Sequence, residues 1–298
     1  MTTVAVYNLY KSYGDQPAVV DLSFSIEPGE ILGLIGPNGA GKSSTIKMIL
    51  DFMRPDAGKV KVFGQPMSEE AKNRIGYLPE ERGLYQKLTA MEVILYLASL
   101  KGMGRAAAEK RALELLEKTG MLESSKKKIK HMSKGMGQMI QFIVTIIHEP
   151  ELLIMDEPFS GLDPVNTERL KKMIEDLQDE GRAIILSTHQ MHHVEELCNR
   201  VLMINRGSKV LYGDLREIRA RFREHSIRVN AAGEIGDVPG VVEKRVRQDY
   251  VELVLEPDTT PQMVLDRLRE SGVIINRFEV TTPSLHNIFL HLAGGNDE

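Results

Sequence analysis

The chain has 298 residues, of which 42% are hydrophobic and 27% charged, with a formal net charge of −4. This is an ordinary globular composition, long enough for one large domain or two smaller ones, and a pI near 6.1 gives no electrostatic basis for a nucleic-acid partner. A single cysteine, Cys198, excludes a disulfide framework within the chain and points to a reducing compartment, where it is expected to pack as a small, half-buried apolar residue.

The opening residues, "MTTVAVYNLYKSYG", lack the basic start, apolar run and cleavage site of a signal peptide. No apolar run reaches the ~20 residues that a membrane-crossing helix needs, so any membrane role is expected to be exercised from the water side. "EILGLIG" (30–36) has the unbroken apolar character of a buried strand, and "KSSTIKMILDFM" after it that of a helix. "GKVKVFG" (58–64) and "RIGYLPE" (74–80) are predicted strands, followed by a long helical region over about 89–148. Two further buried-strand runs, 151–158 and 182–189, flank a helix over 164–180. Apolar runs without alternation imply strands covered on both faces, hence a largely parallel sheet in an α/β fold. Residues 200–214 are predicted to form a hairpin turning at Arg206-Gly207-Ser208. Beyond a basic helical linker, "LREIRARFREHS", residues 226–298 change character. Strands at 241–246, 249–255 and 273–280 with helices at 261–271 and 283–292 predict a small α+β domain.

"GPNGAGKSS" connects the first buried strand to its helix and fits the phosphate-binding pattern G-x-x-x-x-G-K-[ST]. Its residues are Gly36, Pro37, Asn38, Gly39, Ala40, Gly41, Lys42, Ser43 and Ser44. The glycines allow a tight turn whose N–H groups converge on phosphate, and the helix behind adds the positive end of its dipole. Lys42 is placed to reach the β- and γ-phosphates and Ser43 to ligate Mg²⁺. "LLIMDEP" is the complement: Asp156 ends a buried strand, where it can hold Mg²⁺. Glu157 follows it as the candidate base for an attacking water. The long, largely helical stretch between Lys42 and Asp156 has no place in a small GTPase.

With these motifs in this order, residues 2–225 resemble the ATP-binding subunit of an ABC transporter. The resemblance implies a P-loop NTPase fold of the ABC ATPase type with an inserted helical subdomain, an ATP-binding domain over 1–220, and an accessory domain over 226–298. It assigns Tyr13, in "KSYGD", to stacking on adenine, and His189, in "STH", to the γ-phosphate and the water beside Glu157. Glu80, in "IGYLPEERG", falls where the family has a glutamine that ligates Mg²⁺ and senses the membrane subunit; a carboxylate there can also serve as a ligand. "MSKGMGQ" falls at the family signature, and "SGLD" (160–163) at its D-loop.

The resemblance implies that Ser133 and Gly135 face the γ-phosphate held by a second cassette in a head-to-tail dimer. A homodimer is expected, and pairing with a different cassette stays open. Ser133 is a good helix N-cap, and Gly135 is expected to admit phosphate close to the backbone. Lys134 and Met136 depart from the usual signature, and Met139, where a basic residue often stands, is expected to remove a charge near that interface.

The tail, through "TTPSLHNIFLHLAG" (281–294), is similar to a C-terminal domain of bacterial ABC ATPases related to sodium-exporting and multidrug-type systems. The implied function is ATP hydrolysis that powers a transporter, in the export direction, through a permease on a separate chain. ATP and Mg²⁺ are the implied cofactors, and the inner face of the cell membrane the implied location. A regulatory or non-transport ATPase with low turnover is the alternative, motivated by Glu80 and the altered signature. His192 and His193 are expected to be partly exposed helix residues rather than zinc ligands, and the basic run 125–134 a solvated surface.

Overall fold

The computed structural model describes residues 2–81, 83–221, 226–233, 235–256, 258–280 and 284–294. In chain order the elements are β1 (Val4–Tyr13), β2 (Gln16–Ile26), β3 (Ile31–Ile35), α1 (Lys42–Ile49), β4 (Ala57–Val62), α2 (Glu69–Asn73), β5 (Ile75–Leu78), α3 (Ala90–Leu100) and α4 (Arg105–Lys118). There follow α5 (Lys134–Ile146), β6 (Leu152–Asp156), α6 (Pro164–Asp179), β7 (Ala183–Thr188), α7 (Met191–Leu197), β8 (Arg200–Asn205), β9 (Ser208–Asp214) and α8 (Leu215–Arg221). The tail contributes β10 (Ser226–Ala232), β11 (Val241–Val246), β12 (Val251–Leu255), α9 (Pro261–Glu270), β13 (Ile274–Val280) and α10 (Leu285–Gly294). Residues 222–225 of the expected linker, Arg82 of the Glu80 loop and residues 281–283 of the tail motif lie outside the described residues.

The chain divides into two compact units, 1–215 and 216–298. In the first, one sheet has the order β4-β1-β2-β9-β8-β3-β7-β6-β5. Its β8-β3-β7-β6-β5 half is parallel, and β3, β6 and β7 are buried along their whole length, as strands covered on both faces must be. The other half is mainly antiparallel: β1 pairs with β2 and β4, and β8 with β9. Arg206 and Gly207 make the two-residue turn of that last hairpin with positive φ at both positions, while Ser208 already belongs to β9.

Helices α3 to α5 form the expected insertion. Thr89 and Glu92 close a capping box at the start of α3. Asp163 caps α6, with Pro164 in its first turn. The lysines at 126, 127, 128 and 130 are exposed around the buried anchor Ile129, so the basic run is a solvated surface.

The second unit is a four-stranded antiparallel sheet, order β11-β12-β10-β13, with α9 closing a core of Ile227, Val229, Leu253, Leu255, Val264 and Leu268. Strand β10, which the sequence pattern does not announce, lies in the interior of this sheet.

Candidate active site

The parallel half of the sheet sets the site. Ligands of such sheets bind beyond the carboxyl ends of the strands, and here neighbouring strands end in the predicted motifs. The glycine loop follows β3, His189 follows β7, Asp156 and Glu157 lie at the end of β6, and Glu80 follows β5. Together with Tyr13, Asn38 to Ser44 and Gln16 to Ala18, these residues line one cleft of about 520 Å³.

Gly41 has φ 108°, and a Cβ there would meet the Ala18 carbonyl oxygen at 2.3 Å, so the fold itself requires glycine. Gly39 has φ 79°, with nothing within 4 Å of where a Cβ would stand. The space beside the loop is therefore open to an approaching phosphate. The Lys42 amine donates to the Gly36 and Pro37 carbonyls at 2.8 and 3.1 Å. Burial lowers its pKa, while Glu157, Asp156 and Glu80 oppose that shift. Among the described residues no three acids, histidines or cysteines gather into a metal cluster, but Asp156 with the Ser43 hydroxyl beside it offers the carboxylate and hydroxyl that suit a Mg²⁺ completed by phosphate oxygens and water. The Ser43 hydroxyl donates to Asp156 Oδ2 at 3.2 Å, and the buried Ser187 hydroxyl to Asp156 Oδ1 at 2.7 Å.

Glu157 is buried, and its φ of 50° is in the left-handed region, a strained conformation of the kind that gathers at functional sites. Its Oε2 accepts from the Thr188 hydroxyl at 3.0 Å, and its Oε1 from the His189 backbone N–H at 2.9 Å. The His189 ring Nδ1 lies 2.7 Å from that same Oε1. The carboxylate and the imidazole are therefore one unit at the cleft wall. Tyr13, half exposed, sets its hydroxyl 3.3 Å from Ser44 Oγ and donates to Met53 Sδ at 3.1 Å.

Ser133 and Gly135 do not line this cleft. Ser133 is exposed and accepts from the Met136 N–H at 3.2 Å as the N-cap of α5. Gly135 is buried, and a Cβ on it would lie 3.2 Å from the Gly161 carbonyl oxygen. The absence of a side chain therefore serves first the packing of the 160–163 loop in the same chain.

Other expectations need correction. Met139 is fully buried and takes a core position, not one at a charged interface. His193 is 5% exposed and packs its ring 4.1 Å from that of Phe159 and 3.9 Å from that of His192. Cys198 is buried, and burial raises its thiol pKa.

Two polar residues of α5 brace the site in ways the sequence pattern does not announce. Gln138 donates to the Pro158 carbonyl at 3.0 Å and Gln141 to the Pro79 carbonyl at 3.0 Å. These bonds tie one helix to the turn after Glu157 and to the loop carrying Glu80. Gln138 ends the quoted "MSKGMGQ" motif, but the carbonyl that each glutamine bonds is not announced by the sequence.

A second concavity, of about 370 Å³, lies between the α1 and β5 side of the first unit and its helices α3 and α5. Phe52, Tyr77, Leu97, Leu100 and Val144 contribute apolar surface, and Lys101 and His148 also line it.

The strand ends, glycine loop and paired acids define a P-loop ATPase with an inserted helical subdomain. Comparison with known proteins agrees: an ABC transporter family model matches residues 19–160, and one for the C-terminal domain of DrrA1-3-like ATP-binding proteins matches 213–293. The chain is 38% identical over 294 residues to the uncharacterized ABC transporter ATP-binding protein YhaQ of Bacillus subtilis (strain 168), covering 98% of each chain. It is 34% identical over 301 residues to the linearmycin resistance ATP-binding protein LnrL of the same organism, covering 96% of this chain and 97% of that one. A solved ATP-binding subunit of an ABC transporter superposes with TM-score 0.69 at 33% identity, over 74% of this chain and 93% of the other. The chain belongs to the ATP-binding subunits of ABC transporters.

Proposed function

We propose that this chain hydrolyses ATP as one of two identical cassettes powering an exporter, whose permease is a separate membrane chain. The observation that carries this reading is the convergence of Lys42, Ser43, Asp156, Glu157 and His189 on one cleft, with Ser133 exposed outside it. In this reading the glycine loop and Lys42 bind the triphosphate, and Tyr13 stacks on adenine. Ser43, Asp156 and Glu80 hold Mg²⁺, which when bound neutralises developing charge on the phosphates. Glu157 orients a water and accepts its proton, while His189, anchored on Glu157, contacts the γ-phosphate. Ser133 and the first turn of α5 present their donors to the nucleotide of the second copy.

The permease reading is supported by the apolar groove beside β5, the strand that leads to Glu80, with Phe52 and Leu100 exposed at 66% and 62%. None of the described helices is long and apolar enough to cross a membrane, which fits attachment to the inner membrane face through that partner. Similarity to a linearmycin resistance protein supports export.

Phosphate release from ATP by the purified chain tests the enzymatic core. Lys42→Ala is expected to abolish both nucleotide binding and release. Undiminished hydrolysis in that variant would refute the assignment of the cleft.

A further inference from the structure

Among the described residues, the apolar groove contains a charge without a counter-ion. The Lys101 amine is half buried where α3 ends, and donates to the backbone carbonyls of Lys72 and Ile75 at 2.8 and 3.3 Å. Among the described residues it makes no ion pair, and burial alone accounts for the lowering of its pKa. Its neighbour in the same groove, Lys72, is different: Glu69 pairs with it at 2.7 Å. His148, whose Nε2 lies 3.1 Å from the same Ile75 carbonyl, supplies no negative charge. Its pKa is lowered by burial, against the opposing pull of the Ile75 carbonyl, with Lys101 adding to the lowering.

A segment laid against Phe52, Leu97 and Leu100 would exclude water from this ammonium. Among the described residues it would then have two neutral carbonyls as acceptors, and a buried charge without a partner is costly. We propose that Lys101 is a specificity residue of the docking groove, and that the permease segment seated there carries an aspartate or glutamate which pairs with it. This rests on the reading of the chain as a permease-bound cassette. The carboxylate would lie among apolar side chains of the same segment, so that both the charge and the walls are matched. A partner lacking the acid would leave Lys101 buried and unpaired, which is discrimination by an unsatisfied charge.

The test uses the intact complex, drawn from membranes by a tag on this chain, with the membrane subunit identified by mass spectrometry. A water-soluble carbodiimide joins an amine to a carboxylate only where the two touch. The expected product links Lys101 to an Asp or Glu of the membrane subunit. Lys101→Arg keeps the charge and is expected to retain the complex while losing the link. Lys101→Met is expected to weaken the complex at least tenfold, with a cooperative melting curve showing that the variant folds. A complex in which other lysines link to the membrane subunit and Lys101 does not would overturn the inference alone, as would a Lys101→Met complex as tight as wild type. Failure of any membrane subunit to accompany the wild-type chain would overturn the permease reading and this inference with it.

Discussion

Ser187→Ala isolates how the Asp156 carboxylate, the proposed Mg²⁺ ligand, is held. Ser187 is fully buried, and its hydroxyl donates to Asp156 Oδ1 at 2.7 Å. The other oxygen of Asp156 accepts the longer 3.2 Å bond from Ser43. A hydrogen bond to a charged group contributes about 1.5–3 kcal/mol, and the alanine leaves a buried carboxylate less satisfied. At about 2–4 °C per kcal/mol for a domain of this size, the melting temperature should fall by roughly 3–12 °C without nucleotide. Mg-ATP should recover part of that loss, since a cation at Asp156 replaces the missing donor electrostatically. Scanning calorimetry with and without Mg-ATP reads both numbers. A nucleotide-free melt within about 1 °C of wild type, or an equal loss in both conditions, would refute the argument.

Acid sensitivity should concentrate at His193. Burial first, then His192 and Lys171, push its pKa down to about 4, against the opposing pull of Glu196 and Glu168. Because the folded value lies below that of the unfolded chain, ~6.5, its contribution to stability is full above that value. It is lost as pH falls toward 4. Urea titrations between pH 7 and 4 should therefore show a shallower decline for His193→Gln; identical slopes would contradict this origin. Glu80→Gln should keep ATP hydrolysis and alter its Mg²⁺ dependence, because a carboxylate beside Asp156 and Glu157 is replaced by a neutral oxygen donor. Superimposable Mg²⁺ titrations of the two proteins would exclude Glu80 from the metal site.

The parallel half of the sheet is legible in the sequence because its strands are buried on both faces and read as unbroken apolar runs. The glycine loop is legible for a related reason: Gly41 cannot carry a side chain in this fold, so local geometry writes itself into residue identity. Strands β1 and β2 are not legible. Asn8 and Asp21 adopt positive φ, and the β1–β2 pairing shifts register after Val6 and again after Leu9, so the period-two pattern is broken where the chain bends. Strand β10 is hidden because its short apolar stretch resembles the linker around it.

The sequence misleads at His193 and Met139 because exposure on a helix depends on what packs against it. Phe159 and the core, distant in sequence, bury both. The roles of Gln138 and Gln141 depend on carbonyls of Pro158 and Pro79, which only the folded chain brings within reach.

In the proposed cycle two copies close around ATP, and Glu157 governs the step that reopens them. Light scattering of Glu157→Gln on a sizing column, with saturating Mg-ATP, tests it directly. A stable species of twice the 33.4 kDa chain mass is expected, reverting to monomer when nucleotide is removed. A variant that binds ATP yet remains at the monomer mass would contradict it.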